Sequence, residues 1–303
     1  MTIRIGSRGS RLALAQTEEV IAALRDAGIT EHIEIVKVKT SGDARNAWNP
    51  QEGSFADEIN KMVLDGRLDA GVHSAKDLPS SLDEGLEIAA VPERGPRVDC
   101  IVGKCNFARL PSGSKVGTSS PRRKAQLLHF RRDLNIIPVR GNIDTRLRAV
   151  ENGEIDALTL ALCGLKRLGV EKGKNWSIHP LPIDYFVPPA GQGALAIVTR
   201  KGRLDASIKK KVEDANARGE VEIERKAMMM LGGGCNIPAG ITAIAFGNAF
   251  RLYVQVLSTD GRVQRKVSGA VRSGEDIEHL ISGLSEVEGI LKGNTDAGST
   301  AQT

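Results

Sequence analysis

Apolar and polar residues alternate over Thr2-Ile3-Arg4-Ile5-Gly6, the period of a strand with one buried face. Ser10 then stands where a helix cap belongs, ahead of a helical stripe through Leu14, Val20, Ile21 and Leu24. Ile33, Ile35, Val36 and Val38 predict a second strand over 32–39, and Ile59, Met62 and Val63 mark another helix. A further strand is predicted near 70–73. Strand and helix alternating in this way predict α/β architecture with a largely parallel sheet.

The pattern restarts after Pro92-Glu93-Arg94-Gly95-Pro96, which reads as a linker. Strands are predicted at 101–102, 115–117, 135–139 and 156–160, with helices starting near Pro121 and Thr145. A second proline-rich stretch, Val187-Pro188-Pro189-Ala190-Gly191-Gln192-Gly193, returns the chain to the first lobe. Two crossings predict two α/β lobes, joined by hinge strands with a cleft between them. Their expected extents are 1–93 with 188–206, and 97–185. Beyond them one helix is predicted over 205–231, then antiparallel strands at 241–246, 250–257 and 262–270, with Asp260-Gly261 as a hairpin turn. Ile277, Leu280, Ile281, Leu284, Val287 and Leu291 form the stripe of a last helix. A smaller α+β domain over 210–292 is expected, and the polar run 293–303 reads as a disordered tail.

Composition narrows the function. Hydrophobic residues make up 41% and charged residues 26%, an ordinary globular balance. Only 3% are aromatic, which argues against base stacking as a binding device. No run approaches the ~18 apolar residues of a membrane span. The opening Met1-Thr2-Ile3-Arg4-Ile5-Gly6 lacks the apolar core of a signal peptide, so a cytoplasmic location is expected. Cys100, Cys105 and Cys163 read as free thiols acting as small buried hydrophobes. No His/Cys cluster has zinc-like spacing and no metal is expected. Net charge is only +5, but it is unevenly placed. Between Arg122 and Arg148 eight basic residues stand against Asp133 and Asp144 alone, which implies an anionic partner.

Three segments place arginine where a strand ends and a helix begins: Gly6-Ser7-Arg8-Gly9-Ser10-Arg11, Gly117-Thr118-Ser119-Ser120-Pro121-Arg122-Arg123 and Arg140-Gly141-Asn142-Ile143-Asp144-Thr145-Arg146. Cations are disfavoured in a first helical turn, where the dipole is positive. Either an anion is held there by backbone N–H groups, hydroxyls and guanidinium forks, or the arginines point away into solvent. Lys76-Asp77 follows a strand; its carboxylate is suited to stabilising a cation or moving a proton, and equally to a plain surface pair. Cys235, in Leu231-Gly232-Gly233-Gly234-Cys235-Asn236-Ile237-Pro238, lies on a bare backbone that large chemistry can reach. With no histidine nearby in sequence, it suits a permanent attachment point better than a hydrolase nucleophile.

Ordered along the chain, these segments resemble the porphobilinogen deaminase family. The motifs are S-R-x-S-x-L-A at Ser7–Ala13, V-H-S-x-K-D at Val72–Asp77, G-T-S-S-x-R-R at Gly117–Arg123, R-G-N-x-x-T-R-L at Arg140–Leu147, G-L-K-R-L at Gly164–Leu168, G-Q-G-A at Gly191–Ala194 and G-G-C-x-I-P at Gly233–Pro238. The resemblance implies a three-domain fold whose first two lobes are of the periplasmic-binding-protein kind, and an enzyme that joins four porphobilinogen molecules with loss of ammonia and releases linear hydroxymethylbilane by hydrolysis. It implies a dipyrromethane cofactor bonded through a thioether to Cys235, and Asp77 as the catalytic carboxylate. Arg8, Ser10, Ser74, Lys76, Thr118, Ser119, Ser120, Arg122, Arg123, Arg140, Gly141, Arg146 and Arg167 fall where that family binds cofactor or substrate carboxylates. Phe55 falls in its lid. A monomer acting on porphobilinogen and the growing oligopyrrole, without nucleic acid or membrane, is the implied assembly. Three positions depart from the family pattern: Glu52 where a lysine is common, Pro121 for an aliphatic residue, and Val198 for an acid.

Two other readings use the same residues. A two-lobe anion-binding protein shares the expected architecture without catalysis. Nucleic-acid binding through 122–148 would show steep salt dependence.

Overall fold

The structure is a computed structural model that describes residues 2–39, 56–232 and 238–284. Contacts divide the chain into two units, Met1–Arg97 with Gly191–Arg225 and Val98–Ala190 with Lys226–Thr303.

The first unit contains β1 (Thr2–Arg8), α1 (Arg11–Asp26), β2 (His32–Val38), α2 (Asp57–Leu64), β3 (Ala70–Ser74) and β4 (Leu86–Ala90). After the return crossing it adds β10 (Leu195–Arg200), α6 (Ala206–Val212) and most of α7 (Ala215–Met230). Its sheet runs β2-β1-β3-β10-β4. β1 is parallel to both neighbours, whereas β10 is antiparallel to β3 and β4. The period of two sends Leu195 and Ile197 to one face, with Ile5, Val20 and Leu24, and Ala194, Ala196 and Val198 to the other, with Ile59 and Val63. Val198 is fully buried there, so an acid at that position would lie in an apolar core.

The second unit repeats the plan. β5 (Asp99–Gly103), β6 (Lys115–Gly117), α3 (Pro121–Phe130), β7 (Asn135–Ile137), α4 (Ile143–Glu151), β8 (Ala157–Ala161), α5 (Leu162–Arg167) and β9 (Ser177–Pro180) give a sheet ordered β7-β6-β8-β5-β9. β6 is parallel to β7 and β8, and β5 is antiparallel to β8 and β9. In both sheets the antiparallel strand beside the parallel trio is the one that follows a crossing, β5 or β10. Cores line both faces, with Cys100, Val102, Leu158 and Leu165 on one and Ile101, Val116, Leu127 and Phe186 on the other.

A third, antiparallel sheet of β11 (Ala239–Phe246), β12 (Ala249–Leu257) and β13 (Gln264–Val271), followed by α8 (Gly274–Ser282), groups with the second unit. Gly261 (φ +70°) forms the expected turn, with its N–H donating to the Ser258 carbonyl at 2.9 Å. The turn is wider than a two-residue hairpin, so β13 starts at Gln264 and not at Arg262.

The helix expected over 205–231 is two helices. Asp214 interrupts it: its side chain accepts the Ala217 N–H at 2.7 Å as a cap, and its own N–H donates to the Val91 carbonyl at 2.9 Å. The strand expected to reach Val139 ends at Ile137. The later part of the last expected helix (Val287 and Leu291), the tail, Glu52, Phe55 and Cys235 lie outside the described residues.

The first unit is braced at the crossing by Arg94. Its guanidinium pairs with Glu224 at 2.9 Å and Glu220 at 3.1 Å, residues one turn apart on α7, and all three side chains are at most 5% exposed. Removing one partner of a buried pair strands the other charge. Arg94→Ala is expected to lower unfolding free energy by about 3–5 kcal/mol in urea titrations; a loss below about 1 kcal/mol, ordinary for a surface pair, would show that the pair does not brace the fold.

Candidate functional site

Among the described residues, the anticipated site residues of both units lie at or just beyond the carboxyl ends of parallel strands, the edge where open α/β sheets bind ligands. In the first unit β1 and β3 are adjacent and supply them. β1 ends at Arg8, and Ser10 caps α1 by accepting the Ala13 N–H at 3.2 Å. β3 ends at Ser74 and passes into a short 3-10 turn, Ala75–Asp77, that presents Lys76 and Asp77 half-exposed. Gln16, nearly buried on α1, donates to the Ser74 hydroxyl at 2.8 Å and ties the two strand ends together.

Beneath this edge sits His73, 6% exposed, its Nε2 without a hydrogen-bond partner among the described residues. Burial first, and then the charge of Arg8, lower its pKa to about 4. The imidazole therefore stays neutral at ordinary pH and adds no second positive charge beside Arg8.

In the second unit the neighbours β7, β6 and β8 carry the residues. Past β6, Thr118 accepts the Ser120 N–H at 3.2 Å and Ser120 caps α3 by accepting the Arg123 N–H at 3.4 Å. Pro121 occupies the first helical turn, where its missing N–H is harmless. The Ser119 hydroxyl donates to the Val139 carbonyl at 2.6 Å, joining this loop to the one after β7. There Arg140 is exposed, and Gly141 (φ +96°) turns its carbonyl to accept Arg146 Nε at 2.7 Å. Arg167 ends α5, directly after β8.

The counter-charge for the arginine pair is internal. Asp99, the first residue of β5 and 1% exposed, binds Arg122 Nη2 and Arg123 Nη2 at 2.7 Å each, one oxygen to each guanidinium. Arg122 neither points into solvent nor opens to a ligand. It is buried and also donates to Gln126 Oε1 at 2.7 Å and the Val187 carbonyl at 3.0 Å. Gln126 in turn reaches Gln255 of β12 at 2.6 Å, so Arg122 anchors the third sheet within its unit.

Arg123 differs from Arg122. Burial is the largest influence and lowers its pKa, but the charge and hydrogen bond of Asp99, with Cys100 and Cys163, together outweigh it and the net shift is upward. Its Nε is nevertheless buried without a partner among the described residues. Burial, and then repulsion by Arg123, lower the pKa of Arg146. One carboxylate thus serves two arginines while a third guanidinium repels the second. The cluster carries an excess of positive charge beside an unsatisfied donor, a combination that an incoming carboxylate would relieve.

Sequence reasoning missed Asp99 and Gln16. Asp99 lies 23 and 24 positions before its partners, and the only available signal was two first-turn arginines in need of an anion. Cys100, Cys105 and Cys163 are free thiols, two buried and one half-buried. Burial first, and then the Asp99 charge, raise the Cys100 pKa to about 12, so it is inert. Among the described residues no group of three His, Cys, Asp or Glu is arranged to hold a metal, and no helix is long and apolar enough to cross a membrane.

His73 yields a pH prediction. Its folded pKa lies below the unfolded value of 6.5, so its contribution to stability is present above pH 6.5 and is lost as pH falls toward 4. Urea midpoints between pH 6.5 and 4.5 should fall less steeply in His73→Gln than in the parent, the difference being on the order of 2 kcal/mol. Equal slopes would mean that His73 already titrates normally in the folded chain.

A family model described as porphobilinogen deaminase, dipyromethane cofactor binding domain, matches residues 3–208. A probable porphobilinogen deaminase of Methanothermobacter thermautotrophicus is 41% identical over 278 residues, covering 90% of this chain and 95% of that protein. The probable porphobilinogen deaminase of Methanopyrus kandleri is 43% identical, covering 86% of this chain and 89% of its own. The porphobilinogen deaminase of Syntrophus aciditrophicus is 39% identical, covering 93% and 95%. Among solved structures, the periplasmic VFT2 domain of Bordetella pertussis BvgS aligns at 14% identity and a TM-score of 0.43 over 70% of this chain and 86% of that one. With two thirds of its length matched by the family model and relatives near 40% identity aligned over most of it, this chain belongs to the porphobilinogen deaminase family.

Proposed function

We propose that this chain condenses four porphobilinogen molecules stepwise, with loss of ammonia, and releases hydroxymethylbilane by hydrolysis, working as a cytoplasmic monomer. The observation that carries the reading is the second-unit cluster, where Asp99 balances only part of the charge of Arg122, Arg123 and Arg146 and leaves Arg123 Nε unsatisfied. Each porphobilinogen brings an acetate and a propionate, so a growing oligopyrrole gathers negative charge at every addition. Guanidinium groups pair with carboxylates through two parallel hydrogen bonds, which makes arginine the suitable receptor.

The same observation tests the fit of a dipyrromethane cofactor. Its acidic side arms need cations and donors; Arg123 and Arg146 supply both, with the Thr118–Ser120 loop, Arg140, Gly141 and Arg167 along the same sheet edge. When bound, the cofactor supplies the pyrrole to which each new unit is joined. Cys235 is the proposed thioether anchor, and Phe55 the proposed lid residue. Arg122 contributes indirectly, by fixing Asp99 and the start of α3.

In the first unit Arg8, Ser10, Ser74 and Lys76 are proposed to hold carboxylates at the ends of β1 and β3. Loss of ammonia leaves a cationic methylene-pyrrole, and Asp77, at the end of its turn, supplies the carboxylate that stabilises it. Buried neutral His73 supports this by adding no competing charge. The third sheet with α8 is proposed to act as a separate domain carrying the anchor loop. A purely anion-binding role would need no carboxylate at this edge. Nucleic-acid binding loses Arg122, which is buried.

Two substitutions test the reading by porphobilinogen turnover. Asp77→Asn should retain fold and attached cofactor and lose at least about 10²-fold in rate, as other electrostatic stabilisers do. Cys235→Ser should give folded protein with no colour from an aldehyde reagent for pyrroles. Near-normal turnover by either variant would remove the corresponding assignment.

A further inference from the structure

We propose that Gln192, of the return crossing, is a positioning residue for Lys76: it holds the ammonium through a neutral acceptor and so leaves its charge for an incoming carboxylate. The inference rests on the reading of Lys76 as a carboxylate-binding group. Lys76 Nζ donates to Gln192 Oε1 at 3.3 Å. Gln192 is fully buried, and its amide nitrogen donates to the Arg97 carbonyl at 2.8 Å. A carbonyl can only accept, so the side-chain amide has one permitted orientation, with its oxygen toward Lys76. The ammonium has one direction fixed and two N–H groups remaining.

The backbone around Gln192 is held just as tightly. Its carbonyl accepts both Nε and Nη2 of Arg94, at 3.0 and 2.9 Å. Glu224, which binds Arg94, also accepts the Gly191 N–H at 2.6 Å. Gly191 (φ +73°) lies against the turn that carries Lys76: a Cβ there would come within 2.7 Å of the Ala75 carbonyl carbon and the Lys76 nitrogen. The Ala75 N–H donates to the Ala194 carbonyl at 3.0 Å. The segment 191–194 therefore supports the 75–77 turn from below and grips its lysine from the side.

The choice of amide over carboxylate follows from electrostatics. A glutamate at this position would form an ion pair with Lys76 and compete with the substrate for it, and it would also oppose the Arg97 carbonyl. Glutamine gives the geometry without the neutralisation.

The test is a double-mutant cycle on the holoenzyme with porphobilinogen as substrate, with thermal unfolding as a check on folding. K76M alone should raise KM. Q192L should raise KM about threefold to tenfold in the parent, with kcat within about twofold, the scale of one ordinary hydrogen bond. In the K76M background Q192L should change KM by less than about twofold, because its only route is lost. Q192E should raise KM in the parent at least as much as Q192L, and likewise lose that effect beside K76M. An equal rise from Q192L in both backgrounds, or none in the parent while K76M is impaired, overturns the positioning role. An unchanged KM in K76M overturns the reading of Lys76 itself, and the inference with it. If Q192L fails to fold, Q192M takes its place in the same cycle with the same outcomes.

Discussion

One carboxylate bound by two guanidiniums organises the second unit. Asp99 opens β5 at the edge where the parallel strands β6 and β8 end, and it is almost fully buried. A lone buried carboxylate would be costly, and so would a lone buried arginine. Pairing relieves both, but with an inequality: one negative charge against Arg122 and Arg123, with Arg146 repelled by the second. Arg122 uses its share inward, through Gln126 and Gln255, to hold the third sheet. Arg123 retains an unsatisfied nitrogen. The two arginines are neighbours in sequence, yet only Arg122 reaches Gln126 and the Val187 carbonyl.

The first unit solves the matching problem with neutral groups. His73 is kept uncharged by burial and by Arg8, Gln16 ties Ser74 to α1, and Gln192 steadies Lys76 without cancelling it. The strong ion pairs of this unit, Arg94 with Glu220 and Glu224, are placed behind the crossing, where they stiffen the scaffold. The buried charges of the frame are thereby matched within the frame itself, behind the strand ends.

Much of this was legible in the sequence. Period-two runs such as Ile33–Val38 and the caps Ser10 and Ser120 are local signals, and the structure places a strand and two helix starts there. The strand-end arginines followed from the conflict between cations and helix dipoles. What escaped is non-local. β10 and β4 lacked alternation because both faces of their sheet are buried, and the break at Asp214 depends on the distant Val91 carbonyl. The fate of Arg122 was likewise invisible, since Asp99 and Val187 reach it from 23 and 65 positions away.

Oligopyrrole growth tethered to this chain is read out directly by the intact mass of the purified protein. Protein from porphobilinogen-sufficient cells is predicted to exceed its sequence mass by two linked pyrroles. Brief exposure to porphobilinogen should then add a ladder of further single-pyrrole increments. A mass equal to that of the bare polypeptide, unchanged by substrate, would contradict it.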